Sequence, residues 1–140
     1  MFNNILVPTD LTENSRKAVR IALDMASREN EVRITLLHVI ETIEGSGEDE
    51  FKDFYERLMT RAQEGMAKLT DPFREENRPI DQRILYGKRV REIVHFARDN
   101  DMDLIILSSH RIDKVDATQG WATISYKVAI LSHCPVLMVK

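Results

Sequence analysis

The residues of this chain that are best placed to bind a ligand follow a short apolar run at positions 104–107. That run predicts a buried strand, and it leads into the polar sequence Ser-Ser-His-Arg at positions 108–111. A polar loop and a short helix, at about positions 122–132, come next. A strand, a loop and a helix in this order commonly hold phosphate, because the N–H groups at the start of the helix face the anion. The loop nevertheless lacks the glycines that such a site usually uses.

The composition narrows the class of protein. Its 140 residues predict one domain spanning 1–140, and 43% hydrophobic with 31% charged residues indicate a globular chain. The net charge of −3 and the absence of a polybasic tail argue against a nucleic-acid partner or an anionic membrane surface. The apolar runs are too short to span a bilayer, no signal peptide is visible, and one cysteine cannot form an internal disulfide. We therefore expect a cytoplasmic protein.

Strand-like and helix-like stretches alternate along the chain. Apolar runs predict strands at 5–7, 33–40, 79–86, 104–107 and 136–139, and helical spacing predicts helices at about 13–28, 51–69, 89–99 and 122–132. Thr12 is the expected N-cap of the first helix, and Asp71-Pro72 should end the second. This order predicts an α/β fold: a doubly wound, five-stranded parallel sheet with helices on both faces, Rossmann-like in type.

The predicted winding also places a binding site. Ligands of such sheets lie beyond the carboxyl ends of the strands, where the direction of winding reverses. Three stretches reach that edge, at positions 8–10, 39–40 and 108–111. The third strand is polar and should lie near an edge of the sheet, whereas the continuous Leu-Ile-Ile-Leu of the fourth should be central. The charged, glycine-containing stretch at 41–50 is expected to be a solvated linker.

No catalytic or metal-binding pattern is visible in the sequence. The four histidines are scattered without metal-ligand spacing; His38 is expected to be packed or hydrogen-bonded, and His110 lies at the mouth of the predicted site. Cys134 precedes a buried strand and is expected to be structural. Asp103 is most simply a turn residue. The sequence thus predicts neither an enzyme nor a metal centre.

With these segments placed, the chain resembles the universal stress protein family over essentially its whole length. The resemblance is carried by positions 4–10, 36–39 and 103–107, by Gly87 before a helix rich in Ile, Val and Ala, and by the closing stretch 133–139. It implies the fold of the adenine nucleotide alpha hydrolase type. Some members of that family bind ATP and others do not.

The ATP-binding members carry Gly-x-x-Gly, about nine residues, and then Gly-Ser or Gly-Thr after the fourth strand. Glycine lets the backbone approach the phosphates, and the hydroxyl adds a donor at the start of the helix. In this chain Ser108 and Arg111 stand at the two glycine positions, and Ala122-Thr123 stands at the final pair. Gly120 offers a shifted alignment, but Trp121 would then stand where Ser or Thr is wanted.

The resemblance assigns positions to a nucleotide site, if one is present, and to a dimer interface. The nucleotide-binding candidates are Asp10, Val39, Leu107, Ser108, Arg111, Ala122, Thr123 and Ile124. Side chains at Ser108 and Arg111 are expected to fill space that the phosphates need, although the Arg111 guanidinium could contact phosphate itself. Asp10 could instead be a turn residue or a helix-start carboxylate.

Family members dimerise by pairing their closing strands, which here contain Val136, Leu137, Met138 and Val139; an edge covered by its own helix is the alternative.

Two hypotheses of function follow. The first is a non-enzymatic universal stress protein: a homodimer that contacts an unidentified protein partner, has no cofactor and does not bind ATP in the family manner. The second is a sensor in which Asp10, Val39, Thr123 and Arg111 hold ATP or a related adenine nucleotide. A slow hydrolase is a weaker third hypothesis, because Asp10 has no evident partner as base or metal ligand.

Overall fold

The computed structural model of the protein describes residues 1–26, 31–43, 51–76, 78–109 and 121–140, without the side chains of residues 121 and 122. Within those ranges strands and helices alternate as predicted. Along the chain they are β1 (Asn4–Pro8), α1 (Asn14–Met25), β2 (Arg33–Glu41), α2 (Lys52–Thr70), a 3₁₀ turn (Asp71–Phe73), β3 (Ile80–Gly87), α3 (Arg89–Asp99), β4 (Leu104–Ser108), α4 (Trp121–Leu131) and β5 (Val136–Val139).

The five strands form one parallel sheet in the order β3-β2-β1-β4-β5. The chain builds outward from β1 through β2 to β3, and then continues on the other side of β1 with β4. The winding therefore reverses between β1 and β4, which confirms the doubly wound fold. The polar β3 lies at one edge and β5 at the other, as predicted.

Two apolar clusters cover the two faces of the sheet. Because side chains alternate along a strand, neighbouring residues of β1 belong to different clusters: Ile5 and Val7 to one and Leu6 to the other. The first cluster joins the sheet to α1 and α2; its buried members include Ala18, Val19, Ala22, Met66, Leu69, Leu104 and Ile106. The second joins it to α3 and α4; its buried members include Leu37, Val39, Ile93, Ala97, Ile105, Leu107 and Val128.

The start of α1 differs from the prediction. The residue before the helix is Glu13, which makes no side-chain capping bond. The Thr12 hydroxyl instead donates to Asp10 Oδ1 at 2.6 Å, so the expected Thr12 N-cap is wrong. As a cap, the Thr12 hydroxyl oxygen would accept from an N–H of the first helical turn. Here the hydroxyl and the backbone N–H of Thr12 both donate to the Asp10 carboxylate, which holds Thr12 in a turn before the helix. The helix ends at Met25, and residues 27 and 28 of its predicted end lie outside the described residues.

The second helix is buried along only part of its predicted apolar stripe. Ala62, Met66 and Leu69 are buried, but Phe54 remains 40% exposed and contacts the Tyr55 ring edge-on. Pro72 follows the helix in the 3₁₀ turn, as predicted. None of the helices formed by the described residues is long and apolar enough to cross a membrane.

Candidate functional site

The expected site lies where β1 ends and β2 continues. Pairing between these strands runs from Asn4–Arg33 to Pro8–Leu37. One further hydrogen bond joins the Thr9 N–H to the Leu37 carbonyl at 2.8 Å. Beyond it, β2 continues to Glu41 in register with β3 alone. The side of β2 that faced β1 therefore borders the segment that leaves the sheet at residues 9–12.

The backbone of Val39 faces that segment. Along a strand, the N–H and C=O of successive residues point alternately to the two neighbouring strands. Arg33 and Leu37 both bond toward β1, so Val39, which has the same parity, directs its N–H and C=O to the β1 side. Its side chain packs in the second apolar cluster. Val39 thus presents a donor and an acceptor beyond the end of β1.

His38 is a residue of β2, and its side chain connects this strand to the residue after β1. Its Nδ1 is 2.9 Å from the Thr9 carbonyl oxygen. Because a carbonyl only accepts, Nδ1 carries the proton and donates it. Burial lowers the pKa of His38 below its usual value; the bond to Thr9 opposes this change, the charge of Arg89 adds to it, and Asp10 opposes it. His38 is hydrogen-bonded, as predicted, and neutral at pH 7.

Asp10 forms a turn at the carboxyl end of β1. Its Oδ1 accepts from the Thr12 N–H at 3.0 Å and from the Thr12 hydroxyl. The Leu11 N–H donates to Thr9 Oγ1 at 2.9 Å, and Leu11 has a φ of 71°. Asp10 is therefore a turn residue in the structure, and its contact with a nucleotide stays a prediction. Since Asp10 follows Thr9, whose carbonyl is bonded to His38, Asp10 also lies near the end of β2.

Ser108 ends β4 and is only 4% exposed. Its parity is that of Leu104 and Ile106, so its side chain is turned to the face that α1 covers. Its hydroxyl has no hydrogen-bond partner among the described residues. The Ser108 side chain therefore points into the helix layer. The expectation that it fills space at the phosphate loop stays a prediction, because residues 110–120 lie outside the described residues.

The first turns of α4 are tied to the end of β4. The Ser125 hydroxyl donates to the Ser108 carbonyl at 3.3 Å and is fully buried. Thr123, two residues earlier, is half-buried near the start of the helix. Leu107 lies in the second apolar cluster, against which Ile124 packs. Ser125 was not among the predicted site residues, although it stands three residues before Val128, and both are fully buried.

The structure leaves part of the predicted site undescribed. His110, Arg111 and Gly120 lie outside the described residues, and Ala122 is described only as part of the α4 backbone. Contacts of a ligand with these residues remain predictions. Among the described residues, no group of three or more His, Cys, Asp or Glu side chains could hold a metal ion.

The predicted interface strand lies at the sheet edge. Val136 and Met138 are partly exposed, Leu137 is 36% exposed, and Val139 is buried. On the adjacent helix α4, Ile130 and Leu131 are 80% and 60% exposed. No described strand pairs with the outer side of β5.

Comparison with known proteins gives a consistent family. The family model described as Universal stress protein family matches residues 1–140. Universal stress protein YxiE of Bacillus subtilis is 26% identical over 150 residues, covering all of both chains. Universal stress protein MJ0531 of Methanocaldococcus jannaschii is 26% identical over 143 residues, covering all of this chain and 83% of the relative. The solved structure of hypothetical protein MJ0577 superposes with a TM-score of 0.82 at 28% identity, covering 100% of this chain and 96% of that one.

Other solved structures share the fold at lower identity, and some contain nucleotides. One is a universal stress protein in complex with cAMP, with a TM-score of 0.70, 18% identity and coverage of 99% and 97% of the two chains. Another, from Archaeoglobus fulgidus, is in complex with dAMP, with a TM-score of 0.71, 16% identity and coverage of 99% and 98%. A third, from Arabidopsis thaliana, has AMP bound, with a TM-score of 0.69, 19% identity and coverage of 99% and 91%. From the whole-length match of the family model, the chain belongs to the universal stress protein family.

Proposed function

We propose that this protein is a non-enzymatic stress-response protein that binds an adenine nucleotide with a single phosphate where β1, β2 and β4 end. The observation that carries the proposal is the direction of the Val39 backbone, whose N–H and C=O face the space beyond the end of β1. A hydrogen-bond donor and an acceptor that point in the same direction can together recognise the edge of a planar base.

Adenine fits this pair of backbone groups. The base presents an amino donor next to a ring-nitrogen acceptor, so Val39 C=O can accept from the amino group while Val39 N–H donates to the ring nitrogen. The apolar side of the pocket would come from the β2 and α3 side chains around Val39. This matches the position that the family resemblance gives to Val39.

Asp10 lies close to this edge of β2, and a carboxylate is a suitable acceptor for the hydroxyl groups of ribose. Its Oδ1 already holds the turn at Thr12. The turn fixes the carboxyl group in place before a ligand arrives, which lowers the entropic cost of binding. The turn and a contact with ribose are therefore compatible roles.

The residues expected to contact the phosphates favour a nucleotide with one phosphate over a triphosphate. A triphosphate needs a run of N–H groups such as a glycine-rich loop provides, and Ser108 and Arg111 replace its first two glycines. A single phosphate needs fewer donors, and the start of α4 with Thr123 and the Arg111 guanidinium would supply them. The complexes of three related structures with cAMP, dAMP and AMP support this choice of ligand.

The test is direct binding. Bound small molecules would be released from the purified protein by heat and separated by chromatography, and AMP, cAMP and ATP would be titrated by calorimetry with and without magnesium. We expect AMP or cAMP to bind at least about tenfold more tightly than ATP, a difference of ~1.4 kcal/mol. If no adenine nucleotide produces heat at millimolar concentration, the nucleotide proposal is wrong.

A matched pair of variants isolates the Asp10 charge. Asp10→Asn keeps an oxygen acceptor for the turn at Thr12 but removes the charge, whereas Asp10→Ala removes both. We expect both variants to lose about tenfold in AMP affinity and only the alanine variant to lose stability. Arg111→Ala should weaken AMP binding without changing stability.

A second candidate function, contact with other proteins through a homodimer, is favoured by a separate observation. Near the closing strand an apolar surface is exposed: no described strand pairs with the outer edge of β5, and Ile130 and Leu131 of α4 are exposed. Pairing of two β5 strands across a two-fold axis would bury part of this surface and satisfy the backbone groups of the edge.

A further inference from the structure

We infer that His38 is a positioning residue: its side chain takes the Thr9 carbonyl out of the β-ladder and so keeps the Val39 N–H available to a ligand. The ligand in this inference rests on the proposed function. The effect on the ladder does not, and it can be tested in the absence of any ligand.

The register of the sheet shows which bond is replaced. In a parallel pair, each strand donates and accepts alternately along the shared edge. The ladder between β1 and β2 starts with the Arg33 N–H bonded to the Asn3 carbonyl and ends with the Thr9 N–H bonded to the Leu37 carbonyl. The next bond in this series would run from the Val39 N–H to the Thr9 carbonyl.

That next bond is absent between these two described residues, and His38 occupies the acceptor instead. Its Nδ1–H donates to the Thr9 carbonyl at 2.9 Å. The ring lies on the α1 and α2 face, because His38 has the parity of Ile34 and Leu36. It reaches the Thr9 carbonyl from that face, outside the plane in which a ladder bond would lie. The peptide after Thr9 is thereby directed to the ring, and the sheet pairing ends one bond early.

The turn that follows holds this arrangement from the other side. Thr9 Oγ1 accepts from the Leu11 N–H at 2.9 Å and also contacts the Ser15 hydroxyl at 2.6 Å. Leu11 has a left-handed φ, which turns the chain away from β2. Together with the His38 bond, these contacts fix both the side chain and the carbonyl of Thr9. The Thr9 carbonyl is therefore not available to the Val39 N–H, either as a ladder bond or as a bond within the turn.

A histidine suits this role because its donor stands close to its own backbone. An asparagine places its Nδ2–H₂ at nearly the position of the histidine Nδ1, so it can make the same bond. Leucine or valine has no donor and would leave the Thr9 carbonyl to the Val39 N–H. Two charged groups act on the ring: Arg89 lowers the pKa of His38 and Asp10 raises it. The bond to Thr9 needs only the Nδ1 proton, which the neutral ring already carries.

The first experiment measures hydrogen exchange of the Val39 amide by NMR in the ligand-free protein, with wild type compared with His38→Leu, His38→Val and His38→Asn. We expect the amide to exchange at least about tenfold more slowly in the Leu and Val variants, because the ladder gains a bond, and at the wild-type rate in Asn. The Thr9 amide, bonded to Leu37 in the wild type, is the internal control and should remain protected throughout. An unchanged Val39 amide in whichever of the Leu and Val variants folds would overturn the inference.

The second experiment measures AMP affinity by calorimetry in the same proteins. We expect the AMP affinity to fall about tenfold in His38→Leu and His38→Val and to stay near the wild-type value in His38→Asn. Equal AMP affinity in all four proteins would overturn the inference while leaving the proposed function intact. If the wild type binds no AMP but Val39 exchange changes as expected, the proposed function fails and the effect of His38 on the ladder stands.

Discussion

The Asp103 carboxylate accepts the backbone N–H of Asn4, at 3.2 Å to Oδ1 and 3.1 Å to Oδ2. The Asn3 N–H donates to the same carboxylate at 2.8 Å, and the Asp103 N–H donates to the Asn4 carbonyl at 2.8 Å. Asp103, the residue before β4, thus ties the start of β4 to the start of β1. These are the two strands between which the winding of the sheet reverses. Its prediction as a simple turn residue was incomplete, because the partner lies almost a hundred residues away.

Replacing Asp103 tests this connection. Asp103→Ala leaves two N–H groups near the start of β1 without their charged acceptor, and we expect a loss of about 2 kcal/mol in the free energy of unfolding. Asp103→Asn should lose less, since one oxygen acceptor remains. Urea denaturation measures both. The control is Asp99→Ala, because Asp99 is exposed and, among the described residues, forms an ion pair with its neighbour Arg98 at 3.5 Å. Equal losses at both positions would contradict the role given to Asp103.

The lowered pKa of His38 predicts a pH dependence of stability. The unfolded histidine titrates near 6.5, whereas the folded ring binds a proton only at lower pH because it is buried. As the pH falls through about 6.5 toward the folded pKa, the unfolded state takes up the proton first and the folded state loses relative stability. Well above pH 6.5 the ring is unprotonated in both states, so this residue adds no pH dependence there.

The measurement is urea denaturation of wild type and His38→Asn between about pH 7.5 and 5.5, a range above most carboxylate titrations. We expect the difference in unfolding free energy between the two proteins to shift in favour of the asparagine variant as the pH falls. A constant difference across this range would show that the ring titrates equally in the folded and unfolded states.

The position of β5 predicts the oligomeric state. A carboxylate at Leu137, which is 36% exposed on the edge strand, would be buried against a second copy if closing strands pair. We therefore expect Leu137→Asp to be monomeric by sedimentation at concentrations where wild type is a dimer. Tyr86→Asp, on the opposite edge strand β3 and 45% exposed, is the control and should remain dimeric. A dimer that survives Leu137→Asp would exclude pairing through β5.

The order of strands and helices was predictable because its signals are local. The continuous apolar runs of β1 and β4 and the helical spacing of α3 belong to single segments, and each segment forms as expected. The misplaced start of α1 has a different origin. Thr12 is a good capping residue in isolation, but its side chain is held in a turn by the bond that its hydroxyl donates to Asp10, and helix propensity alone does not report such a local bond.

The candidate site was predictable in position but not in orientation. The carboxyl ends of β1, β2 and β4 meet at one edge, as the winding requires. Strand parity sets the face that the Ser108 side chain takes, but which helix covers that face depends on the tertiary fold. The acceptor of His38 depends on the register of two strands far apart in the sequence. The bond from Ser125 to β4 is of the same kind. Such features follow from tertiary packing and leave little trace in local sequence.

Gly87 provides a further test of the fold, at the junction between β3 and α3. It has a φ of +148°, and a Cβ added there would lie 2.7 Å from both Cγ and Oε1 of Glu92. Its carbonyl also accepts the Thr42 N–H at 3.2 Å, which ties the end of β3 to the end of β2. We expect Gly87→Ala to destabilise the protein by about 2 kcal/mol, because both the backbone conformation and the contact oppose a side chain.

A double variant separates these two causes. Adding Glu92→Ala to Gly87→Ala removes the clashing side chain but not the unfavourable φ, so only part of the lost stability should return. Gly65→Ala in α2 is the matched control: the added Cβ would lie 3.3 Å from Leu11 Cδ2, and the gain in helix propensity of up to about 1 kcal/mol should offset that close contact. Complete recovery in the double variant would show that the contact with Glu92, and not the backbone conformation, requires glycine at position 87.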